Sequence, residues 1–107
     1  MNKVILIGRL TKPPEIRNFS DKYSVMNFTI AVRRKYQSKD EAEADFIRCT
    51  AWNSNAQFID KYFGKGDSIC VAGELRNNQY TDETGQTKYS TEVNVSEVYF
   101  TGSSMKK

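Results

Sequence analysis

Apolar and polar residues alternate along most of the chain, and this period of two is the pattern of strands that bury one face. In residues 25–33, one face consists of Met26, Phe28, Ile30 and Val32. In residues 68–76, Ile69, Val71, Gly73 and Leu75 share a face in the same way. The pattern predicts strands at residues 3–10, 25–33, 45–53, 68–76 and 88–100, with a short edge strand at 15–19.

Residues 45–53 have two faces of different chemistry. The small aliphatic face of Ile47, Cys49 and Ala51 is typical of a core. The opposite face carries Phe46, Arg48, Thr50 and Trp52, and a core does not accept an unpaired arginine. Trp52 and Phe46 are therefore candidates for a binding surface, with burial in the core or against another subunit as the alternatives.

One helix is predicted at residues 55–63, where Ala56, Ile59 and Phe63 recur at helical spacing. Asn53, Ser54 or Asn55 is a suitable cap at its start, and Gly64 suits a left-handed residue at its end. In the last strand, Val98 and Phe100 fall out of phase with Val93 and Val95, which predicts a bulge near Ser96-Glu97.

The element order is three long strands counting from residue 3, one helix, and two more strands. Five strands with a helix between the third and the fourth is the order of the OB-fold, an all-β, five-stranded Greek-key barrel. We find no internal repeat and no linker. The prediction is one OB-fold domain at residues 1–101 and a flexible C-terminal end at 102–107.

Composition removes several classes of function. The net charge of +3 is mildly basic, and the chain has two cysteines without a CxxC motif and no histidine. Histidine is the commonest general base and the commonest metal ligand, and this chain lacks it. We therefore expect no catalytic residues, no metal site and no cofactor. The apolar run near the N-terminus is too short to cross a membrane and lacks the features of a signal peptide. We expect a reduced cytoplasmic protein that is not an enzyme.

Cations and aromatic residues occur together at three places, and this is the combination that binds single-stranded nucleic acid. Arg33-Arg34-Lys35-Tyr36 ends the second long strand, Phe46, Arg48 and Trp52 share a face, and Arg76 and Tyr80 share a parity. Strict alternation turns Tyr36 inward with Val32, unless the strand bulges or twists. The three cations before Tyr36 could contact phosphates or could form only a solvated charge cluster. The pattern leaves both points open.

The chain also resembles the bacterial and phage SSB family over essentially residues 1–100. The similarity rests on motifs in a common order: Asn2-Lys3-Val4-Ile5-Leu6-Ile7-Gly8-Arg9-Leu10, Pro14-Glu15-Ile16-Arg17, Ala44-Asp45-Phe46-Ile47-Arg48-Cys49-Thr50-Ala51-Trp52, Tyr62-Phe63-Gly64-Lys65-Gly66, Gly73-Glu74-Leu75-Arg76, Tyr80-Thr81-Asp82-Glu83-Thr84-Gly85-Gln86 and Tyr89-Ser90-Thr91-Glu92-Val93.

The resemblance implies an OB-fold homotetramer that binds and protects single-stranded DNA without reading its sequence, in replication, recombination, repair or competence. The stacking residues it implies are Tyr36, Phe46, Trp52 and Tyr80. The basic residues it implies are Lys3, Arg17, Arg48, Lys65 and Arg76. Local charge adds Arg33, Arg34 and Lys88 to the expected DNA-binding residues.

One departure from the family leaves other possibilities. Replicative members of the family continue into a tail with an acidic tip that recruits enzymes, whereas this sequence ends on Met105-Lys106-Lys107. We therefore expect no recruitment of that kind, in a protein that is either trimmed or a short paralogue from a competence system, a phage or a mobile element. The alternative functions are an interaction module of a primosome-like complex, an RNA-binding OB domain and an accessory domain of an enzyme.

Overall fold

A computed structural model describes residues 1–35 and 44–102 of the chain. Each predicted strand is present, and the helix begins two residues before the predicted start. The elements in chain order are β1 (Val4–Leu10), β2 (Ile16–Asn18), β3 (Ser24–Arg33), β4 (Ala44–Trp52), α1 (Asn53–Tyr62), β5 (Ser68–Thr81) and β6 (Thr87–Tyr99). Residues 103–107 lie outside the described part, so the flexible C-terminal end stays a prediction.

The strands form one sheet in the order β1-β5-β6-β4-β3-β2, and an additional pairing of β1 with β3 closes five of them into a barrel. That closing contact sets Arg9 opposite Ala31 and Leu10 opposite Ile30. The short β2 pairs with the first residues of β3, on the edge that pairs with β1 near residues 30 and 31. Closure leaves the five barrel strands without an open edge, and the architecture is the predicted OB-fold.

The inner faces of the strands and one side of α1 form a single core. Met26, Ile30, Ile59, Phe63 and Ile69 are completely buried. Each large apolar side chain removed from water in this way contributes about 1.5–3 kcal/mol, before entropy is counted. The faces predicted to be core in residues 25–33 and 45–53 are the buried ones.

Both ends of α1 differ from the prediction. No side chain caps its first turn, because Asn53 instead accepts a hydrogen bond on Oδ1 from the Ser24 backbone N–H at 3.0 Å. At the other end, Phe63 has extended backbone, and its N–H donates to the Ile59 carbonyl. The left-handed glycine of the following turn is Gly66, with φ of +85°, rather than Gly64.

The bulge in β6 lies where the sequence pattern slips. Ala72 pairs with Glu97 and Gly73 with Val95, which leaves Ser96 without a partner residue in the ladder. The Ser96 hydroxyl donates to the Ala72 carbonyl at 3.1 Å. A Cβ on Gly73 would lie 2.0 Å from the Asn94 carbonyl oxygen, so only glycine allows the two strands to approach this closely.

Beyond Gly73, β5 and β6 continue as a two-stranded ribbon that leaves the core. β5 ends at Thr81 rather than near residue 76, and Leu75 and Tyr89 are exposed although they share the parity of buried residues. The apolar–polar alternation continues past the end of the barrel, but there the former inner face has no core to pack against. No helix in residues 1–35 and 44–102 is long and apolar enough to span a membrane.

Candidate nucleic-acid interface

One side of the barrel displays the aromatic and basic residues of β4. In the β3–β4 ladder, Thr29 lies opposite Arg48 and Ala31 lies opposite Phe46. Residues directly opposite each other in an antiparallel pair point to the same face, and Trp52 has the parity of Phe46 and Arg48. Phe46 is 68% exposed and Trp52 is 44% exposed, so both rings face solvent rather than the core.

The same side continues across β6 and β5. Thr50 of β4 lies beside Asn94 of β6. Along the β5–β6 ladder, the residues with the parity of Asn94 come in opposed pairs: Glu74 with Asn94, Arg76 with Glu92, Asn78 with Ser90, and Tyr80 with Lys88. Tyr80 is 53% exposed. The tertiary structure therefore brings Phe46, Arg48, Trp52, Arg76, Tyr80 and Lys88 onto one continuous outer face, which we call the aromatic-basic face.

A polar network crosses the centre of this face. The Thr50 hydroxyl lies 2.9 Å from Asn27 Oδ1 and 3.3 Å from Glu92 Oε1, and it donates to one of them at a time. The Asn78 side-chain amide donates to the same Glu92 oxygen at 2.8 Å. Four strands are linked by these bonds, which hold the side chains between the aromatic residues in fixed positions.

Two grooves run along the aromatic-basic face. The larger, about 700 Å³, is lined by residues that include Lys12, Asn27 and Arg48. The smaller, about 370 Å³, places Trp52 beside Arg76 and Asn78. Glu92 lines both grooves. Its carboxylate therefore lies between the two sets of cations, and a polyanion in the grooves passes next to it.

Several predicted cations are already paired with carboxylates. Arg34 donates from Nε and a terminal nitrogen to Asp45, and this hydrogen bond lowers the pKa of the Asp45 carboxyl below its ordinary value. An Arg76 terminal nitrogen lies 3.1 Å from a Glu74 oxygen. These groups are about half exposed, so solvent strongly screens the attraction within each ion pair. A phosphate can therefore compete for such cations at little cost.

The tip of the ribbon is held by Asp82. Hydrogen bonds from the Thr84 hydroxyl and from the Gln86 backbone N–H lower the pKa of the Asp82 carboxyl. The Lys88 ammonium lies 3.8 Å from the other oxygen of Asp82. This turn keeps Tyr80 and Lys88 opposed at the end of the aromatic-basic face.

The remaining predicted residues lie around the margin. Arg17 lies opposite Val25, which itself lies opposite Trp52, so Arg17 borders the aromatic-basic face. Arg33 ends β3. Lys3 follows Asn2, whose side chain makes two hydrogen bonds of 2.9 Å to the Leu75 backbone.

Lys65 belongs to the turn joined to β1 by the Gly66 N–H, which donates to the Leu10 carbonyl at 2.8 Å. Tyr36 lies outside the described residues, so its role as a stacking residue stays a prediction.

Three residues that sequence reasoning missed also belong to this side. Arg9 lies in one row with Ala31 and Phe46, and its guanidinium donates to the Gly66 carbonyl at 2.9 Å. Phe19 and Tyr23 lie next to Arg17 and are strongly exposed. Parity within the β2–β3 hairpin could have revealed the last two, but the position of Arg9 depends on the barrel closure.

The cysteines show no sign of chemistry. Burial raises the pKa of the Cys49 thiol to about 12, so this thiol stays protonated and unreactive near neutral pH. Cys70 is free as well. Within residues 1–35 and 44–102, no three His, Cys, Asp or Glu side chains cluster closely enough to hold a metal ion.

Comparison with known proteins decides the family. The model of the "Single-strand binding protein family" matches residues 1–101. The chain belongs to this family. Its relatives include the "Single-stranded DNA-binding protein" of Bacillus cereus, which is 41% identical over 94% of this chain and 59% of the relative. "Single-stranded DNA-binding protein A" of Bacillus subtilis is 39% identical over the same shares.

The chain spans about three fifths of the length of these Bacillus relatives. A relative from Clostridium acetobutylicum, "Single-stranded DNA-binding protein 2", is 40% identical, and the match covers 94% of this chain and 76% of that protein.

Proposed function

We propose that this protein binds single-stranded DNA without sequence preference and catalyses no reaction. The observation that carries the proposal is the aromatic-basic face, where three exposed rings, Phe46, Trp52 and Tyr80, lie on one side of the sheet among arginines and a lysine. The names of the relatives support the same class of ligand.

Each part of this face matches one part of an unpaired strand. Every base has a flat π-face, so stacking on an aromatic ring contributes about 1–3 kcal/mol per base without distinguishing one base from another. Arg48 and Arg76 line the two grooves beside the rings and attract phosphates. In a duplex the bases are already stacked and paired, so duplex DNA satisfies only the phosphate contacts.

We further propose that the protein acts as a homotetramer. The outer side of β1 presents Ile5, 62% exposed, and Ile7, 59% exposed, without any charge between them. Their neighbours across the β1–β5 ladder are Ala72 and Cys70, and Cys70 in turn lies opposite the exposed Tyr99. A contiguous apolar area of this kind is typical of a surface that another subunit covers.

The proposed setting is the bacterial cytoplasm, at the nucleoid or in a phage-infected cell, where unpaired DNA arises during replication, recombination, repair or competence. Recruitment of partner enzymes is not assigned to the barrel. A primosome-like interaction module would keep the apolar β1 surface and lose affinity for DNA, which makes binding itself the discriminating property.

A fluorescence titration with oligo-dT at two salt concentrations tests the proposal, with a duplex as the control. Trp52 is the only tryptophan, so its quenching reports on one of the proposed stacking rings. We expect strong quenching by the single strand, little response to duplex, and weaker binding at high salt because counterions are released. Absence of binding, checked independently by a gel-shift assay, would exclude the function; binding without quenching would exclude only Trp52.

A further inference from the structure

The end of the β2–β3 hairpin carries two exposed aromatic side chains that lie beside the aromatic-basic face but are not among its residues. Phe19 is 63% exposed and Tyr23 is 57% exposed. In contrast, Ile16 of the same hairpin packs against the core. Phe19 and Tyr23 therefore expose large apolar areas to water, and a purely structural role in the hairpin does not require two such rings.

The register places both rings on the same side of the sheet as Trp52. Arg17 lies opposite Val25, and Val25 lies opposite Trp52, so the three share one face across β2, β3 and β4. The pairing continues one step further, since the Phe19 N–H donates to the Tyr23 carbonyl at 2.9 Å. Phe19 has the parity of Arg17, and Tyr23 has the parity of Val25, so both belong to this face.

A side-chain contact agrees with the register. The Arg17 guanidinium carbon lies 5.8 Å from the centroid of the Phe19 ring, within the range of a cation–π interaction. Arginine and ring are thus neighbours on the surface, and the ring still has most of its area exposed. This pairing of a flat ring with a phosphate-binding cation repeats the combination of Trp52 with Arg76 in the smaller groove.

Charge and distance favour a nucleic-acid strand as the occupant. The hairpin carries Arg17 and Lys22 against one carboxylate, Asp21. From strand spacing and residue rise, Phe19 lies about 12 Å from Trp52 along the sheet. Single strands on OB-folds occupy sites of about 4–16 nucleotides, so a strand stacked on Trp52 is long enough to reach the hairpin.

We propose that Phe19 and Tyr23 form an additional base-stacking subsite, with Arg17 as its phosphate contact, that extends the single-stranded DNA path from Trp52 over the β2–β3 hairpin. This inference rests on the proposed function. It predicts that the occluded strand is longer than the aromatic-basic face alone requires.

The first test compares two substitutions of different shape at one position. Phe19→Leu keeps an apolar side chain without a flat ring, whereas Phe19→Trp keeps the ring. For a labelled oligo-dT long enough to cross the whole face, Phe19→Leu is expected to weaken binding about 5-fold or more, the lower end of a stacking contribution. Phe19→Trp is expected to keep the affinity of the unsubstituted protein. Equal affinities for the two variants would overturn the stacking assignment.

A second test places the reporter at the hairpin. In a Trp52→Phe background, Tyr23→Trp makes position 23 the only tryptophan, and binding is followed independently by the anisotropy of the labelled oligonucleotide. Quenching on binding supports the subsite, and binding without quenching overturns it while the proposed function stands. Failure of the unsubstituted protein to bind any oligo-dT would instead overturn the proposed function, and this inference with it.

Tyr89→Ala is the matched control. Tyr89 is as exposed as Phe19 but lies opposite Gln79, on the other face of the ribbon from Tyr80. Its loss is expected to change affinity by less than about 2-fold, since base stacking requires a ring that lies on the path of the strand. An effect as large as that of Phe19→Leu would show that any exposed ring matters, which contradicts a defined subsite.

Discussion

The outer sides of β1 and β4 both expose large apolar side chains, but they differ in what surrounds them. On β4, Phe46 and Trp52 alternate with Arg48, and hydrogen-bonding groups fill the spaces between. On β1, Ile5 and Ile7 have aliphatic and small neighbours. Exposure is therefore not enough to assign a surface: flat rings among cations suit a polyanion with π-faces, while branched aliphatic groups suit another protein surface.

The largest expected effect comes from removing the rings of β4. The double substitution Phe46→Ala with Trp52→Ala should weaken binding of oligo-dT at least about 30-fold, since each ring contributes about 1–3 kcal/mol. The melting temperature should change little, because both rings lie outside the core. Anisotropy titration and thermal denaturation measure the two quantities. Unchanged affinity with a strongly lowered melting temperature would show that the two rings stabilise the fold rather than bind DNA. The proposed difference between the β4 and β1 surfaces would then be wrong.

The complementary change on β1 is Ile7→Asp. A carboxylate in the middle of the apolar surface should prevent subunit association, because burying an unpaired charge there is strongly unfavourable. Analytical ultracentrifugation should detect a smaller species, with an unchanged circular dichroism spectrum. The Trp52 fluorescence of each separated subunit should still be quenched by a short oligo-dT. A species of unchanged mass would mean that β1 is not the contact surface.

A smaller effect is expected from Glu92, whose carboxylate lies between the two grooves. Glu92→Gln removes the charge and keeps an oxygen that accepts from Thr50 and Asn78. Losing repulsion of the phosphates should raise affinity for oligo-dT up to about 5-fold at low salt, about 1 kcal/mol, and the gain should fade at high salt. A loss of affinity instead would mean that the carboxylate positions its neighbours rather than repels the strand.

The smallest effect concerns the two thiols, which report on the two environments. Alkylation near neutral pH needs the thiolate, and the pKa of Cys49 is raised to about 12 by burial, so Cys49 should not react in the folded protein. Cys70 lies opposite Ile7 on the apolar side. It should react slowly in the wild type and several-fold faster in Ile7→Asp, as measured by mass spectrometry of the labelled peptide. Equal rates would argue that no subunit covers Cys70.

The raised pKa of Cys49 also has a consequence for stability. Because its folded pKa of about 12 lies above the ordinary value of 9.0, the protonated thiol favours the folded state. That contribution is complete below pH 9.0 and is lost as the pH rises towards about 12.

How far the sequence predicted the fold depends on the kind of signal. Strict alternation in residues 25–33 placed β3 correctly, and the slip after Val95 located the bulge, because both are local consequences of a period of two. The end of β5 was misjudged, since Leu75 and the polar residues after it continue as a ribbon that no core supports. The helix ends were misjudged because the two predicted capping residues bond elsewhere. Asn53 accepts from the Ser24 backbone N–H, and the Gly64 N–H donates to the Asp67 carboxylate in the following turn.

The candidate site divides in the same way. Parity placed Phe46 and Trp52 on the face opposite the small aliphatic residues, and their exposure in the structure shows that this face lies outside the core. Parity also placed Arg76 and Tyr80 on one side of β5. Extending the alternation of β2 and β3 to the residues next to the turn would have placed Phe19 and Tyr23 on the same face as Arg17. No local pattern could have found Arg9, because its neighbour Phe46 is reached only through the β1–β3 contact that closes the barrel.

By itself, the sequence determined the strands, the side of each strand that is buried, and the types of side chain left for a ligand, because these follow from alternation and side-chain chemistry. The tertiary structure decided which strands lie side by side. The pairing of β4 with β6 and of β6 with β5 joined three strands into the aromatic-basic face, and Glu92 lies in its middle. Pairings between residues far apart in the chain depend on how the whole barrel packs, and no local segment carries that information.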